Sequence, residues 1–218
     1  MLNLALPMTA SLYSQYGGVP VSYDVLKTAL ARYKSPHGRL KLLERRGEVV
    51  PLRRGLYLCT DVAHAYSRHL IANHLVFSYV SYESALSLAG MIPERVYTVK
   101  SACLGRSRVI TNATGSYRYI QVPRDYFNVG VTRAREADGH YYLVATPTKA
   151  LCDLMLASPG LRLQSEGAVR EYLYESLRMD EEGVRSLDAA VAHGCAEAAN
   201  KKRRELQLLE RTINHERI

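Results

Sequence analysis

Residues 35–58 read SPHGRLKLLERRGEVVPLRRGLYL, and this stretch decides the fold of the N-terminal part of the chain. Ser35 is a residue type that caps helices, and Pro36 fits a first helical turn, where the missing N–H is not needed. Gly47 can end the helix, because glycine readily takes the left-handed conformation found after helix C-termini. The stretch therefore begins with a short predicted helix.

A tight hairpin is predicted to follow this helix. Residues 48–52 and 56–59 are two β-prone runs, and Arg53-Arg54-Gly55 separates them as a turn. Gly55 can take the positive φ that such a turn requires. The hairpin is therefore expected to place two arginines at its tip.

The predicted helix has two different sides. Leu40 and Leu43 share one side, as the residues of a buried stripe do. The opposite side is polar and cationic: Gly38, Lys41 and Arg45, flanked by Arg39 and Arg46. A cationic helix beside a cationic hairpin is the arrangement of a winged helix-turn-helix, in which the helix enters a DNA groove and the wing contacts flanking phosphates.

This interpretation assigns nine residues to DNA binding. The residues expected to face the major groove are Gly38, Lys41 and Arg45. The residues expected near the DNA backbone are Ser35, His37, Arg39 and Arg46, with Arg53 and Arg54 on the wing. The alternative is a small α/β subdomain whose charged runs are only solvated faces.

The sequence ahead of residue 35 supplies two further helices of the same module. Residues 8–16 are long enough for the first, and Gly17-Gly18 breaks it. Ser22 can cap the second, whose apolar stripe consists of Val25, Leu26, Ala29 and Leu30. We therefore predict a DNA-binding domain over residues 1–60 and a second domain over residues 61–218.

The charge of the chain is unevenly distributed. The formal net charge is +8 over 218 residues. Residues 1–60 contain nine Lys or Arg against three Asp or Glu, whereas residues 160–218 contain ten against eleven. The excess positive charge lies on the predicted DNA-binding domain, as an electrostatic footprint for DNA should.

Composition and motifs argue against several classes of protein. No apolar run approaches the length of a membrane span, and the N-terminus lacks the basic region of a secretory signal, so we expect a cytoplasmic protein without membrane contact. The four cysteines are scattered, and the histidines keep no common helical face, so we expect neither a metal site nor a cofactor. Because no acid–base or nucleophile constellation can be named, we also expect no enzyme activity.

The sequence after residue 60 predicts an α+β domain with a mostly antiparallel sheet and C-terminal helices. Asp61 and Ser81 are candidate caps of two helices, Gly90 closes the second, and Thr146-Pro147 opens a third. The predicted strands are 96–102, 107–111, 116–122, 126–132 and 141–144. Eight tyrosines lie between Tyr79 and Tyr142, and we expect them to pack in half-buried strands.

The last third is predicted to be helical. One helix follows Glu166, a second begins after the cap Asp180 and ends at His193-Gly194, and a third runs from about residue 195 to 213. The basic run Lys201-Lys202-Arg203-Arg204 is expected on the solvated side of that third helix, with a second nucleic-acid contact as the alternative.

Four segments, in order, resemble the AbiEi family of abortive-infection antitoxins: RRGLYL at 53–58, SYVSYESALSLAGMIPERVYTV at 78–99, GHYYLVATPTKALCDLM at 139–155 and YLYESLRMDEEGVRSLDAAVAHG at 172–194. The resemblance implies a bacterial protein with an N-terminal winged helix and a C-terminal antitoxin domain. It also implies repression of the protein's own operon and opposition to a nucleotidyltransferase-like toxin, without the need for a stable complex.

Two functions therefore remain open at this point. The first is an antitoxin and autorepressor that binds operator DNA through residues 1–60 and neutralises a toxin through residues 61–218. The second is a winged-helix transcription regulator whose C-terminal domain senses a ligand or dimerises, with no toxin partner. A gene for a nucleotidyltransferase-like protein beside this one would favour the first.

Overall fold

The computed structural model describes residues 8–61 and 65–216. Across these residues helices alternate with strands of two sheets, so the chain has the mixed α+β class predicted from its sequence. No helix in the described ranges is both long and apolar enough to cross a membrane. The prediction that the chain has no secretory signal depends in part on residues 1–7, which lie outside the described residues.

The N-terminal part, residues 8–61, contains three helices and a three-stranded antiparallel sheet. The elements are α1 (Met8–Tyr16), β1 (Pro20–Ser22), α2 (Tyr23–Ala29), α3 (Pro36–Arg45), β2 (Val49–Arg53) and β3 (Leu56–Cys59). The strand order is β1-β3-β2. A hydrophobic cluster joins the helices to this sheet and includes Leu12, Leu26, Leu30, Leu40, Leu43, Val49 and Cys59.

Local interactions explain where these helices begin and end. The Ser35 hydroxyl accepts a hydrogen bond from the Gly38 N–H at 3.1 Å, and Ser22 caps α2 by accepting from Val25 at 3.4 Å. Gly47 follows α3 with φ +70°, and Gly55 has φ +76° in the hairpin turn, both as predicted. The turn is narrower than expected, because Arg53 belongs to strand β2.

Strand β1 was not predicted, because three residues give no periodic signal. It pairs antiparallel with β3, with Val21 opposite Tyr57. The hairpin is therefore supported on one side by a third strand.

The remaining residues form a six-stranded sheet with helices on both faces. Its strands are β4 (Ser78–Val80), β5 (Thr98–Cys103), β6 (Arg108–Asn112), β7 (Gly115–Gln121), β8 (Val131–Arg135) and β9 (Tyr141–Ala145), in the order β6-β7-β5-β4-β9-β8. Two neighbouring pairs, β5 with β7 and β4 with β9, are parallel, and the other three are antiparallel. The sheet is therefore mixed, and its two parallel strand pairs make it less uniformly antiparallel than the sequence predicted.

The helices of this region are α4 (Arg68–Leu75), α5 (Tyr82–Leu88), α6 (Arg124–Phe127), α7 (Pro147–Ala157), α8 (Glu166–Glu171), α9 (Glu181–Ser186), α10 (Ala189–Ala198) and α11 (Arg203–Glu216). A π-helical turn, Tyr172–Ser176, continues α8. Residues of α5 and of α7 to α11 form the largest hydrophobic cluster together with one face of the sheet. The other face packs with α4 and with Leu52 and Leu58 of the N-terminal part.

Three local predictions were wrong. Residues 126–132 are not a strand: Pro123 starts the short helix α6, which buries Tyr126 and Phe127, and β8 begins only at Val131. Helix α4 is capped by Ser67, whose hydroxyl accepts from the Leu70 N–H at 3.1 Å, and not by Asp61. The predicted path of that helix from Asp61 crosses residues 62–64, which lie outside the described residues.

The third wrong prediction concerns the C-terminal helices. The helix predicted to run from Asp180 to His193 is broken at Leu187-Asp188, because the Asp188 side chain caps α10 and its N–H donates to the Thr148 hydroxyl at 2.7 Å. Helix α10 then continues through His193-Gly194 to Ala198. Consequently residues 195–213 are divided between two helices.

Candidate nucleic-acid interface

Helix α3 has a buried side and a cationic side. Leu40 and Leu43 are buried in the N-terminal cluster, at 2% and 0% exposed. Lys41 and Arg45 are exposed on the opposite side, so the predicted amphipathic pattern is confirmed. The buried leucines hold the helix on the sheet and leave its polar side accessible.

The first turn of α3 and the tip of the hairpin lie at the same end of the N-terminal part. Tyr23 connects them: its N–H donates to the Gly55 carbonyl at 2.9 Å, and its ring lies 6.4 Å from that of His37 in an edge-on arrangement. The ring of Tyr57 is also 6.4 Å from that of Tyr23. The N-terminus of α3 and the hairpin turn are therefore linked through one residue.

The nine residues predicted to contact DNA differ in accessibility. Those exposed are Ser35, His37, Gly38, Lys41, Arg45, Arg46, Arg53 and Arg54. Arg39 is partly buried, and its guanidinium lies 5.2 Å from the ring centroid of Tyr33. Arg46 Nη1 is 3.9 Å from Glu48 Oε1, a distance typical of a loose surface ion pair.

Ser35 and Gly38 are engaged with each other. A Cβ at position 38 would lie 2.9 Å from the Ser35 hydroxyl oxygen, so a larger residue there would push against the cap. Ser35 accepts the Gly38 N–H with its oxygen and keeps its own O–H free to donate. Both residues thus have a structural role at the helix N-terminus, beside any contact with DNA.

Two cations beside α3 escaped the sequence analysis. Arg32 and Lys34 are exposed in the connection between α2 and α3. The guanidinium of Arg32 lies 5.5 Å from the ring centroid of Tyr33, whose ring also contacts Arg39. The signal that could have found them is the arginine–tyrosine–lysine run immediately ahead of the Ser35 cap.

The chemistry of this surface is that of a polyanion-binding site. It combines exposed guanidinium and ammonium groups with the N-terminal end of α3, where backbone N–H groups and the helix dipole favour negative charge. The acidic residues of the N-terminal part are Asp24, Glu44, Glu48 and Asp61. Desolvation, followed by the Glu44 carboxylate, raises the pKa of Tyr57 and keeps its phenol neutral. Cationic side chains therefore outnumber carboxylates in the N-terminal part.

A second polar cluster lies deep in the C-terminal region. Lys149 is fully buried, and its Nζ is 3.2 Å from Asp153 Oδ1, an ion pair without hydrogen-bonding geometry. Lys149 also donates to the Tyr126 carbonyl at 2.9 Å, and the Ser81 hydroxyl donates to Asp153 Oδ2 at 2.5 Å. Ser81 does occupy the N-cap position of α5, as predicted, but its hydroxyl bonds Asp153 instead of the helix.

A cavity of about 400 Å³ adjoins this cluster. It is lined by Tyr82, Ile120, Gln121, Val122, Pro123, Asp153, Leu156, Ala157, Asn200 and Lys201. Tyr82 and Asp153 are each only 1% exposed, and the Tyr82 backbone has a strained φ of +55°. Nothing in the sequence spacing links Asp153 to Ser81, which lies 72 residues earlier in the chain.

No protein-family model matches the chain, and no curated protein matches it.

Proposed function

We propose that residues 8–60 form a winged helix-turn-helix that binds operator DNA, and that the chain is a transcriptional repressor. We further propose that it is the antitoxin of an AbiEi-like toxin–antitoxin operon, which it represses while opposing a nucleotidyltransferase-like toxin. The observation on which DNA binding rests is the contact of Tyr23 with both the α3 N-terminus and the hairpin tip.

In the proposed complex α3 lies in the major groove. Lys41 and Arg45 are exposed on the side away from Leu40 and Leu43, so they are available to read base edges, and lysine and arginine are the commonest partners of guanine. Arg53 and Arg54 flank the hairpin turn and suit the phosphates beside the groove. The helix would supply sequence preference and the wing general affinity.

The antitoxin part of the proposal is supported by the four resembling segments. They occupy the hairpin, the β4–α5 region with the chain up to β5, the segment from β9 to α7, and the helices that follow α8. Several of their residues, including Tyr79, Leu151 and Leu173, are buried in the largest hydrophobic cluster. The resemblance therefore covers the framework of the C-terminal region.

The alternative function is a winged-helix regulator that senses a ligand, with no toxin partner. The cavity of about 400 Å³ beside Tyr82 favours this alternative, because its volume is typical of small-molecule sites. A nucleotidyltransferase-like gene next to this one, with growth arrest when it is expressed alone, would favour the antitoxin instead.

The DNA-binding proposal is tested by fluorescence anisotropy with a duplex from the gene's own promoter and a scrambled duplex, over a salt series. The double variant Arg53→Ala/Arg54→Ala should weaken binding to both duplexes alike and flatten the salt slope by about 1.8, or about 0.9 per phosphate contact. Lys41→Ala or Arg45→Ala should instead reduce preference for the promoter by about 1–3 kcal/mol per lost base contact.

The matched control is Arg162→Ala/Arg211→Ala, which removes the same charge from two exposed positions of the C-terminal region. It should bind both duplexes as the unmodified protein does. The proposal is wrong if the unmodified protein does not bind DNA. It is also wrong if all the N-terminal variants bind DNA as the unmodified protein does.

A further inference from the structure

The segment that forms strands β5, β6 and β7, at one edge of the six-stranded sheet, contains no acidic residues. Between Glu94 and Asp125 the chain has six Lys or Arg and no Asp or Glu: Arg95, Lys100, Arg106, Arg108, Arg118 and Arg124. Lys100 is neutralised by Glu83, with Nζ 2.6 Å from Oε1. Within the part of the chain that the structure describes, Arg106 and Arg108 form no ion pair with a carboxylate.

Strand β6, which follows Arg106, lies against the hairpin of the N-terminal part. Asn112 Nδ2 donates to the Leu52 carbonyl at 3.0 Å, which links the edge of the six-stranded sheet to strand β2. Leu52 is buried in the same hydrophobic cluster as Tyr117 and Tyr119 of β7. The residue after Leu52 is Arg53, one of the two proposed wing cations.

The strand register places Arg108 on the face of the sheet that is turned to the hairpin. Arg108 is opposite Tyr119, and Ile110 is opposite Tyr117, so these residues share the face that packs with Leu52. Val109 and its partner Arg118 point to the other face.

Arg108 and Arg53 both lie near the hydroxyl of Tyr119. Burial raises the pKa of Tyr119, and the guanidinium groups of Arg108 and Arg53 act against that shift. The Arg108 Nε–H donates to the Arg106 carbonyl at 3.1 Å, which holds the exposed guanidinium beside the turn before β6. The hairpin and β6 therefore bring Arg53 and Arg108 to the surroundings of the same tyrosine.

We propose that Arg106 and Arg108 form a second phosphate-binding surface, which extends the DNA interface from the hairpin onto the six-stranded sheet. This inference rests on the proposed DNA-binding function. The occupant is the backbone of the same duplex, next to the phosphates held by Arg53 and Arg54, and the contact is independent of base sequence. The C-terminal region thus contributes to DNA affinity as well as to any other activity.

The test compares full-length variants in the anisotropy and salt series described above. Arg106→Ala/Arg108→Ala should weaken binding to promoter and scrambled duplexes alike and flatten the salt slope by about 1.8. Arg106→Lys/Arg108→Lys, which keeps the charge, should retain most of the slope. In hydroxyl-radical footprinting, Arg106→Ala/Arg108→Ala should lose protection of the DNA backbone at certain positions. These positions should adjoin the ones that Arg53→Ala/Arg54→Ala leaves unprotected.

Arg118→Ala is the control on the neighbouring strand, because Arg118 is exposed on the opposite face. It should leave affinity, slope and footprint unchanged. If Arg53→Ala/Arg54→Ala flattens the slope but Arg106→Ala/Arg108→Ala does so no more than Arg118→Ala, the second surface does not exist and DNA binding by the hairpin stands. If the unmodified protein binds no DNA, both proposals are wrong.

Discussion

At the scale of single residues, the most unusual feature is a charged pair in the core. Lys149 and Asp153 are one helical turn apart on α7, and both side chains are fully buried. Through Asp153 the pair holds Ser81 between β4 and α5, and through Lys149 it holds the carbonyl of Tyr126 in α6. The pair therefore fixes the position of three elements around α7.

Three tyrosines lie around this pair. Lys149 Nζ is 3.1 Å from the ring centroid of Tyr126 and 5.6 Å from that of Tyr79. Burial, and secondly the Asp153 carboxylate, raise the pKa of Tyr79, Tyr82 and Tyr126. These phenols therefore remain neutral, and the dry surroundings make an unpaired charge at position 149 or 153 costly.

Asp153→Ala should lower the free energy of unfolding by about 3–5 kcal/mol, because it would leave the buried Lys149 side chain without its ion-pair partner. The double variant Lys149→Met/Asp153→Leu removes both charges and should cost markedly less. Chemical denaturation of both variants measures the difference. A loss below about 1 kcal/mol for Asp153→Ala would mean that the pair does not stabilise the core.

At the scale of elements, the basic run 201–204 has a structural role at two helix ends. Lys202 Nζ donates to the carbonyls of Met155 at 3.0 Å, Leu161 at 2.9 Å and Ser158, at the end of α7 and just beyond it. Arg203 donates from Nε to the Ala196 carbonyl at 3.1 Å and from Nη2 to that of Glu197 at 2.8 Å, near the end of α10. The run does not lie along one helix as predicted, because α11 begins only at Arg203, although Lys201, Arg203 and Arg204 are exposed as expected.

The reason is that the C-terminal end of a helix leaves carbonyl groups without hydrogen-bond donors. Lysine and arginine side chains can donate to these carbonyl groups. The chain leaves the helical conformation after Ala198 and turns at Lys202, where φ is +54°. Burial lowers the pKa of Lys202, since its ammonium is drawn away from water toward the carbonyl groups. Sequence periodicity could not reveal this, because the accepting carbonyls are over 40 residues away along the chain.

Lys202→Met should therefore lower the free energy of unfolding by about 2–3 kcal/mol, because it leaves carbonyl groups around the end of α7 without their charged donor. Thermal unfolding followed by circular dichroism measures the loss, with Lys201→Met, at an exposed neighbouring position, as the control. DNA affinity should be unchanged in both variants. A variant that keeps its stability but loses DNA affinity would support the alternative role in nucleic-acid contact.

At the scale of the whole molecule, the two predicted domains share a hydrophobic cluster. Leu52 and Leu58 of the N-terminal part are buried together with Ile71 of α4 and Tyr119 of β7. The bond from Asn112 to the Leu52 carbonyl adds a polar link. Cutting the chain near residue 60 would expose apolar side chains on both fragments, so separation of function is better tested in the intact protein.

In cells that express the cognate toxin, the full-length variant Arg53→Ala/Arg54→Ala should still restore growth while repression of the promoter is lost. The reason is that the substitutions lie on the exposed hairpin tip and leave Leu52 and the shared cluster in place. Growth curves and a promoter reporter in the same strain measure both effects. If the variant loses both growth rescue and promoter repression, toxin neutralisation depends on the N-terminal part.

The local sequence was sufficient to predict the N-terminal helices, the hairpin and several caps. Ser35, Gly47 and Gly55 act within a few residues of themselves, so their effects are visible without knowledge of the fold. The amphipathic pattern of α3 was equally readable, because burial of Leu40 and Leu43 follows from helical spacing alone. DNA binding by the nine residues named from this pattern stays a prediction.

Only the tertiary structure decided which distant residues meet. Ser81 meets Asp153, Lys202 meets the end of α7, and β6 meets the hairpin, and each of these contacts joins residues at least 40 positions apart. Within the polar cluster, the Lys149–Asp153 pair on α7 is local. Such contacts depend on strand order, and the order β6-β7-β5-β4-β9-β8 is not encoded in any single segment. The sequence by itself determined the cationic helix and the hairpin after it, because these depend on neighbouring residues, whereas packing set the approach of β6 to the hairpin and the polar core.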